Sequence, residues 1–328
     1  MSSDQPRKVY RYQGFGSLTL QALCHDELYF ADPADFNDPL DCQPVVKANS
    51  DRDTLRQLVT EFVKRRTVAE TLAALKNAKL VGEKATAHAK RLGEQAARDV
   101  LANIRYNATN PMYEEEGGMN VEEAEHWILT QEIEQELLRR YDRGVCCFST
   151  LVDNPLLWSH YADQHRGFCI GYSLNRVSKP RLNRVVYGGD RTVKTSLIAK
   201  AIIDNDPEAR TLLDRDVLLR KAYPWRYERE WRLLGDRGDQ NSPLLLEDVT
   251  FGFRCLEAIQ HTVISALESR KKPIEFFKMK EKDRGSFELE RQPVEIDEMC
   301  AYFPRTAQSG EEMFAGVEVS ETSVRPSA

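Results

Sequence analysis

Trp225-Arg226-Tyr227-Glu228-Arg229-Glu230-Trp231-Arg232 alternates aromatic and charged residues, then runs through Leu233 and Leu234 to Gly235-Asp236. This alternation predicts a β-strand ended by a turn. Side chains two apart on a strand share a face, so Glu228, Glu230 and Arg232 are expected on one side. Tyr227, Arg229 and Trp231 would take the other. Two carboxylates on one face repel each other, and an arginine beside them suggests a cleft that orients a ligand hydroxyl or supports a developing positive charge. A solvated edge strand with a local ion pair gives the same pattern.

Further strands frame this stretch. Val9-Tyr10-Arg11-Tyr12 alternates and ends at Gly14-Phe15-Gly16, and Leu28-Tyr29-Phe30 is a second short strand. Val145-Cys146-Cys147-Phe148-Ser149 is a compact apolar run, read as a buried central strand. Gly167 to Tyr172 is the next strand, and Arg184 to Tyr187 another. Short strands are expected at 244–246, 249–253, 274–279 and 286–289. Helices are expected after Ser17, after the Asn154-Pro155 cap, from Val193 to Tyr223 with a break at Asp206-Pro207, and from Leu256 to Arg270. The whole predicts an α+β fold: a mixed, mainly antiparallel β core flanked by helices.

From Asp51 to Tyr141 the character changes. Leu55, Leu58, Val59, Phe62 and Val63 recur at helical spacing, Glu83 to Ile104 is rich in helix formers, and Val121 to Tyr141 is amphipathic. The segment 51–141 reads as an inserted helical subdomain within one domain spanning 8–308. Residues 1–7 read as a disordered leader, and 309–328 as a disordered tail rich in Ser, Glu and Gly.

The 328 residues are 41% hydrophobic and 30% charged, with net charge −6, which suits a soluble globular chain. No global positive field draws it to nucleic acid or anionic membrane, although a local basic cleft stays open. No apolar run reaches membrane-spanning length, and no signal-peptide pattern opens the chain. Seven scattered cysteines suggest reduced thiols and a cytoplasmic location. Cys146-Cys147 is adjacent rather than at zinc spacing, so no metal site is expected.

Among polar residues, Arg11 between Tyr10 and Tyr12 stands out, because an inward arginine on a strand wants a carboxylate or a phosphate. Ser149 and Thr150 follow a buried strand and either face a cleft or serve the turn. Trp158-Ser159-His160-Tyr161 tempts a nucleophilic reading. There is no G-x-S-x-G elbow, and adjacent residues on a helix diverge by about 100°, so packing of Trp158 and Tyr161 is the commoner case. The turn-rich stretch from Ala31 to Cys42 holds Asp32, Asp35, Asp38 and Asp41 without calcium-loop spacing.

Several of these pieces occur together in order: Tyr10-Arg11-Tyr12, Leu28-Tyr29-Phe30 with Phe36-Asn37-Asp38-Pro39, Cys147-Phe148-Ser149, Trp158 to Ala162 with Gly167 to Gly171, and Tyr227 to Arg232. The combination resembles the bacterial DUF2971 family, a domain of unknown function. The order Arg11, then Ser149-Thr150, then Glu228-Arg229-Glu230 also resembles toxin-type ADP-ribosyltransferases, which carry an Arg, a Ser-Thr-Ser element and a Glu-x-Glu pair on successive strands. Leu151 stands where that element has its last serine, and the helical segment stretches the spacing.

The second resemblance implies an ADP-ribosyltransferase-like fold and NAD as substrate. Glu230 would steady the ribose and its oxocarbenium charge, and Glu228 would orient or deprotonate an acceptor. Arg11 would hold the pyrophosphate, Ser149 would support the ribose or brace Glu230, and Trp158 or Tyr161 would stack on a ring. Tyr12, Thr150 and His160 join the expected NAD-binding set, and Asn37, Asp38 and Arg232 the substrate-binding set. The acceptor would be protein or nucleic acid, with a toxin or phage-defence role and a neutralising partner protein in view. Two rivals stay open: a non-catalytic binding module with a structural Arg/Glu network, and a metal-dependent nuclease or phosphoesterase built on Asp32, Asp35, Asp38, Glu228 and Glu230.

Overall fold

A computed structural model describes residues 5–115, 117–140, 143–176, 180–297, 299 and 304; the expected tail at 309–328 lies outside them. The chain opens with β1 (Lys8–Gln13), α1 (Ser17–His25), β2 (Glu27–Phe30) and β3 (Val45–Lys47). Helices α2 (Arg52–Asn77), α3 (Glu83–Asn107), α4 (Met112–Glu115) and α5 (Val121–Arg140) follow. Then come β4 (Gly144–Ser149), α6 (Pro155–Tyr161) and β5 (Phe168–Ser173). Three short strands, β6 (Asn183–Arg184), β7 (Val186–Tyr187) and β8 (Thr192–Lys194), precede α7 (Thr195–Ile202) and α8 (Pro207–Leu218). The remainder is β9 (Arg220–Lys221), β10 (Glu230–Gly235), β11 (Gly238–Asn241), β12 (Leu245–Phe251), α9 (Glu257–Leu267), β13 (Glu275–Glu281) and β14 (Leu289–Pro293).

Local chemistry sets the helix starts. Asp51 accepts from the Thr54 amide, and Asp206 from the amides of Glu208 and Ala209. Asn154 caps α6 with Pro155 in the first turn, where a missing N–H costs nothing. Helices α2, α3 and α5 pack with α7 and α8 into one apolar cluster around Leu58, Val59, Leu129, Ile133, Ile198 and Leu213. The inserted helices therefore share a core with elements after β8. Each fully buried Leu or Ile in it contributes about 1.5–3 kcal/mol.

Eight strands form one mixed, mainly antiparallel sheet in the order β14-β13-β12-β5-β1-β4-β10-β6. The expected α+β architecture of a mainly antiparallel core flanked by helices is what the chain adopts. The sheet's middle is its weak seam. β1 pairs with β5 at every position from Lys8 to Gln13, and β4 with β10 from Gly144 to Ser149. Between β1 and β4 the only paired residues are Tyr10 and Ser149. Past that pair the strands part, leaving a split between a five-strand and a three-strand half.

The decisive stretch starts differently from its alternation. Tyr223–Glu228 is a 3-10 helix, Arg229 turns left-handed at φ 47°, and the strand begins only at Glu230. Pro224 in the first turn presets a helical φ, which outweighs the alternating pattern. Two further expectations also shift: the strands expected at 244–246 and 249–253 join as one bulged strand, β12 (Leu245–Phe251), and the last strand starts at Leu289 rather than Ser286.

Candidate functional site

A cleft of about 270 Å³ opens at the split. Tyr10, Arg11 and Tyr12 line it from β1, and Cys147, Phe148 and Ser149 from β4. Phe36 and Asn37 border it from the turn after β2, Tyr161 from α6, Lys221 from β9, Glu228 from the end of the 3-10 helix and Glu230 from β10. Of the expected site residues, Arg11, Tyr12, Ser149, Tyr161, Asn37, Glu228 and Glu230 thus meet in one place. Their positions span more than two hundred residues of chain.

At one end sits a buried charge network. The Lys221 ammonium lies 2.6 Å from Glu228, 3.0 Å from Glu230 and 3.5 Å from Asp41. Arg232 donates from Nε to Glu230 Oε1 at 2.7 Å, from Nη2 to Glu230 Oε2 at 3.1 Å, and to Asp41 at 2.7 Å. Three acids thus face two cations. The Glu228–Arg229–Glu230 junction is braced from both sides: Ser149 Oγ donates to the Glu228 carbonyl at 2.6 Å, and the Glu230 amide donates to Tyr187 Oη at 2.7 Å.

The two glutamates are driven apart electrostatically. Burial disfavours the charged form of both. For Glu230, the Arg232 and Lys221 cations overcome that burial and hold its carboxyl down at about 2. For Glu228, burial prevails over Lys221, and the neighbouring Glu230 charge adds to it, so its carboxyl is raised. Tyr161 Oη donates to Glu228 Oε1 at 2.7 Å, and burial with the Glu228 charge pushes that phenol up. A pair of carboxyls with separated affinities is the arrangement that supplies an acid or base beside a permanent anion.

At the other end stands Arg11. Its guanidinium donates to Cys146 Sγ at 3.0 Å and to the Tyr29 carbonyl at 3.2 Å. Neither is an anion, and Arg11 has no carboxylate partner among the described residues. Of the expected carboxylate or phosphate partner, the carboxylate is not found: among the described residues Arg11 meets neutral acceptors. A partly buried cation without a counter-ion is uncommon and leaves donors for a bound anion.

Five expected residues lie away from the cleft wall. Arg232 is wholly buried behind it as the partner of Glu230 and Asp41. Trp158 is also fully buried, its indole donating to the Val152 carbonyl and meeting Tyr12 edge-on at 5.2 Å, so it packs rather than stacks on a ligand. His160 is exposed on α6, near the Trp225 ring at 6.2 Å. Asp38 accepts from Trp225 Nε1 at 2.7 Å, and Thr150 is half-buried in the loop after β4. Tyr12 reaches the cleft, but its hydroxyl is spent on the Leu151 carbonyl at 2.8 Å.

Asp41, Lys221 and Tyr187 escaped the sequence. Lys221 sits between a helix and a proline turn with no periodic signal, and Asp41 was one of four aspartates in a turn. Three acids of the metal reading are held in ion pairs, Asp32 with Arg237 at 2.6 Å and Glu228 and Glu230 with Lys221, while Asp38 accepts from Trp225 and Asp35 borders the cleft. Among the described residues no group of three or more His, Cys, Asp or Glu could hold a metal ion. No helix among them is long and apolar enough to cross a membrane.

Residues 157–233 match the family model described as a protein of unknown function (DUF2971). That segment covers less than a quarter of the chain and contains Tyr161, Lys221, Glu228, Glu230 and Arg232, but neither Arg11, Asp41 nor Ser149. No curated protein and no solved structure matches the chain.

Proposed function

We propose that the cleft binds NAD and that the chain is an enzyme of the ADP-ribosyltransferase type. The observation that carries this reading is the cleft's polarity: an arginine without an anionic partner at one end, and a protonatable carboxyl beside a fixed carboxylate at the other. A ligand with a phosphate at one end and ribose hydroxyls at the other satisfies both. At about 270 Å³ the cleft falls just under the usual ligand-pocket range, so it takes the nicotinamide riboside portion and leaves the adenosine outside.

In this reading Arg11 pairs with the pyrophosphate through donors not given to Cys146 or Tyr29. The C1′–N bond to nicotinamide breaks, its electron pair leaves with nicotinamide, and the sugar becomes oxocarbenium-like. The excess negative charge of Asp41, Glu228 and Glu230 over Lys221 and Arg232 favours that cation. Glu228, whose raised affinity suits proton transfer, takes the proton from the attacking acceptor hydroxyl or water. Tyr161 orients Glu228, and Ser149 holds its backbone. Toxin or defence roles, the acceptor and any neutralising partner belong to this proposal.

Calorimetric titration of NAD into the full chain, followed by an assay of nicotinamide release, tests it. Glu228→Gln should retain NAD binding and lose release by about 10²–10⁴-fold. Arg11→Met should weaken binding by about tenfold or more. Absence of NAD binding, or release unchanged in Glu228→Gln, ends the proposal. One observation favours the non-catalytic module instead: both oxygens of Glu230 are already held by Arg232 and Lys221. That module predicts a stable fold, no nicotinamide release with any acceptor, and a cleft that serves as a binding pocket only.

A further inference from the structure

A second concavity, of about 1090 Å³, runs along β6 at the opposite margin of the three-strand half. Arg143, Arg181, Arg184 and Arg215 line it, with the half-buried Trp231 and Leu234. Two aspartates serve this surface. Asp214 pairs with Arg210 at 3.2 Å and Arg143 at 3.4 Å, and Asp216 with Arg215 at 3.1 Å and Arg220 at 3.4 Å. Four arginines thus pair with these two aspartates, and Arg181 and Arg184 add two further cations to the surface. Arg181 and Arg184 are exposed and have no ion pair among the described residues. In a chain of net charge −6, so concentrated a cationic excess is a local feature with its own field.

We infer that this groove binds single-stranded nucleic acid. Guanidinium groups along a groove track a phosphate backbone, and Trp231, half-buried against the apolar core, brings to the groove lining an indole of the kind that contacts any base. The groove is several times larger than the cleft at the split, which suits a run of nucleotides rather than one ring. An acidic peptide joining the sheet as an extra strand would find little to pair with, because β6 is only two residues long. Exposed Val186 and Leu212 on the rim give apolar contact that bases can use and a free phosphate cannot. The inference stands apart from the NAD reading, since it uses another surface and another ligand.

Fluorescence anisotropy of a labelled oligonucleotide of about 16 nucleotides, titrated with the full chain over a range of salt, tests it. Saturable binding that weakens with salt is expected. Arg181→Glu with Arg184→Glu should lose at least tenfold in affinity and flatten the log K against log salt slope by about 1.4. Trp231→Leu should lose several-fold with the slope unchanged; circular dichroism confirms the fold of each variant, and the exposed arginine pair decides if Trp231→Leu does not fold. No binding at low salt overturns the inference, as does binding indifferent to the arginine reversals. Equal competition by polyglutamate also overturns it, since that marks a general anion surface.

Discussion

Two ion clusters are buried in the same sheet, and they differ in what surrounds them. On the five-strand side, Asp248 of β12 is wholly buried and meets Lys8 of β1 and Arg291 of β14, the latter at 3.1 Å. Gly171 of β5 stands directly opposite it. On the three-strand side, Asp41, Glu228 and Glu230 meet Lys221 and Arg232. The first cluster has one buried acid for two cations, and those cations keep about a quarter of their side chains in solvent (27% and 25%). The second has an acid to spare, and its cations are sealed, at 6% and 0% exposure. The first lies where β12 is paired on both sides, next to its bulge against β5, and the second borders the split. Burial of charge therefore does not by itself mark a site. Surplus charge beside an unpaired seam is the more informative sign.

The largest effect that would break this contrast is at Lys221. Lys221→Met leaves three buried carboxylates with Arg232 alone, and a loss of about 3–5 kcal/mol in denaturant unfolding is expected. Asp248→Asn should cost less, about 1.5–3 kcal/mol, because Lys8 and Arg291 can turn to water. If Asp248→Asn proved the more damaging, the two clusters would have to exchange interpretations. Gly171→Ala sharpens the comparison by steric means. Its new Cβ would lie 2.5 Å from Asp248 Oδ2, so about 1–3 kcal/mol should be lost, and Asp248→Ala should relieve part of it in a double-mutant cycle.

The smallest effect is a pH dependence. Glu230 is lowered from 4.5 to about 2, so its contribution is fully present above 4.5 and is lost as pH falls toward 2. Glu228 is raised, which gives the opposite sign: its contribution is present below 4.5 and fades as pH rises through its folded value. Thermal melting between pH 2 and 7 should therefore show a Glu230→Gln variant with a shallower acid loss than the parent. Glu228→Gln should be close to neutral in stability at pH 7. A Glu228→Gln chain badly destabilised there would mean that the ion pair with Lys221 outweighs the cost of burying this carboxylate.

Much of the frame was legible along the chain. Alternation located β1, apolar density located β4, and Asn154-Pro155 announced its helix through capping chemistry that acts within a few residues, while Asp206-Pro207, read as a break, proved to be the capped start of α8. The strand read from Trp225 failed at its first half because Pro224 biased the backbone toward a 3-10 turn. Even so, the pairing of Glu228 with Glu230 and Arg232 was sound, since the left-handed Arg229 returns both carboxylates to Lys221.

What the amino-acid sequence determined by itself was the main helices and the longer strands of the sheet, the mainly antiparallel α+β character and the presence of paired acids near an arginine; the short strands β3, β8, β9 and β11 went unread. Those features depend on side-chain periodicity and on contacts a few residues long. Only the tertiary structure decided that Asp41 and Lys221 complete the network, that Arg11 faces neutral acceptors, and that β1 and β4 part after one pair. Each of these depends on which distant segments come to lie side by side, and nothing in a residue's own neighbours records that. Arg232 and Asp41 meet across 191 positions of chain because folding buries both, and two charges buried together must face each other.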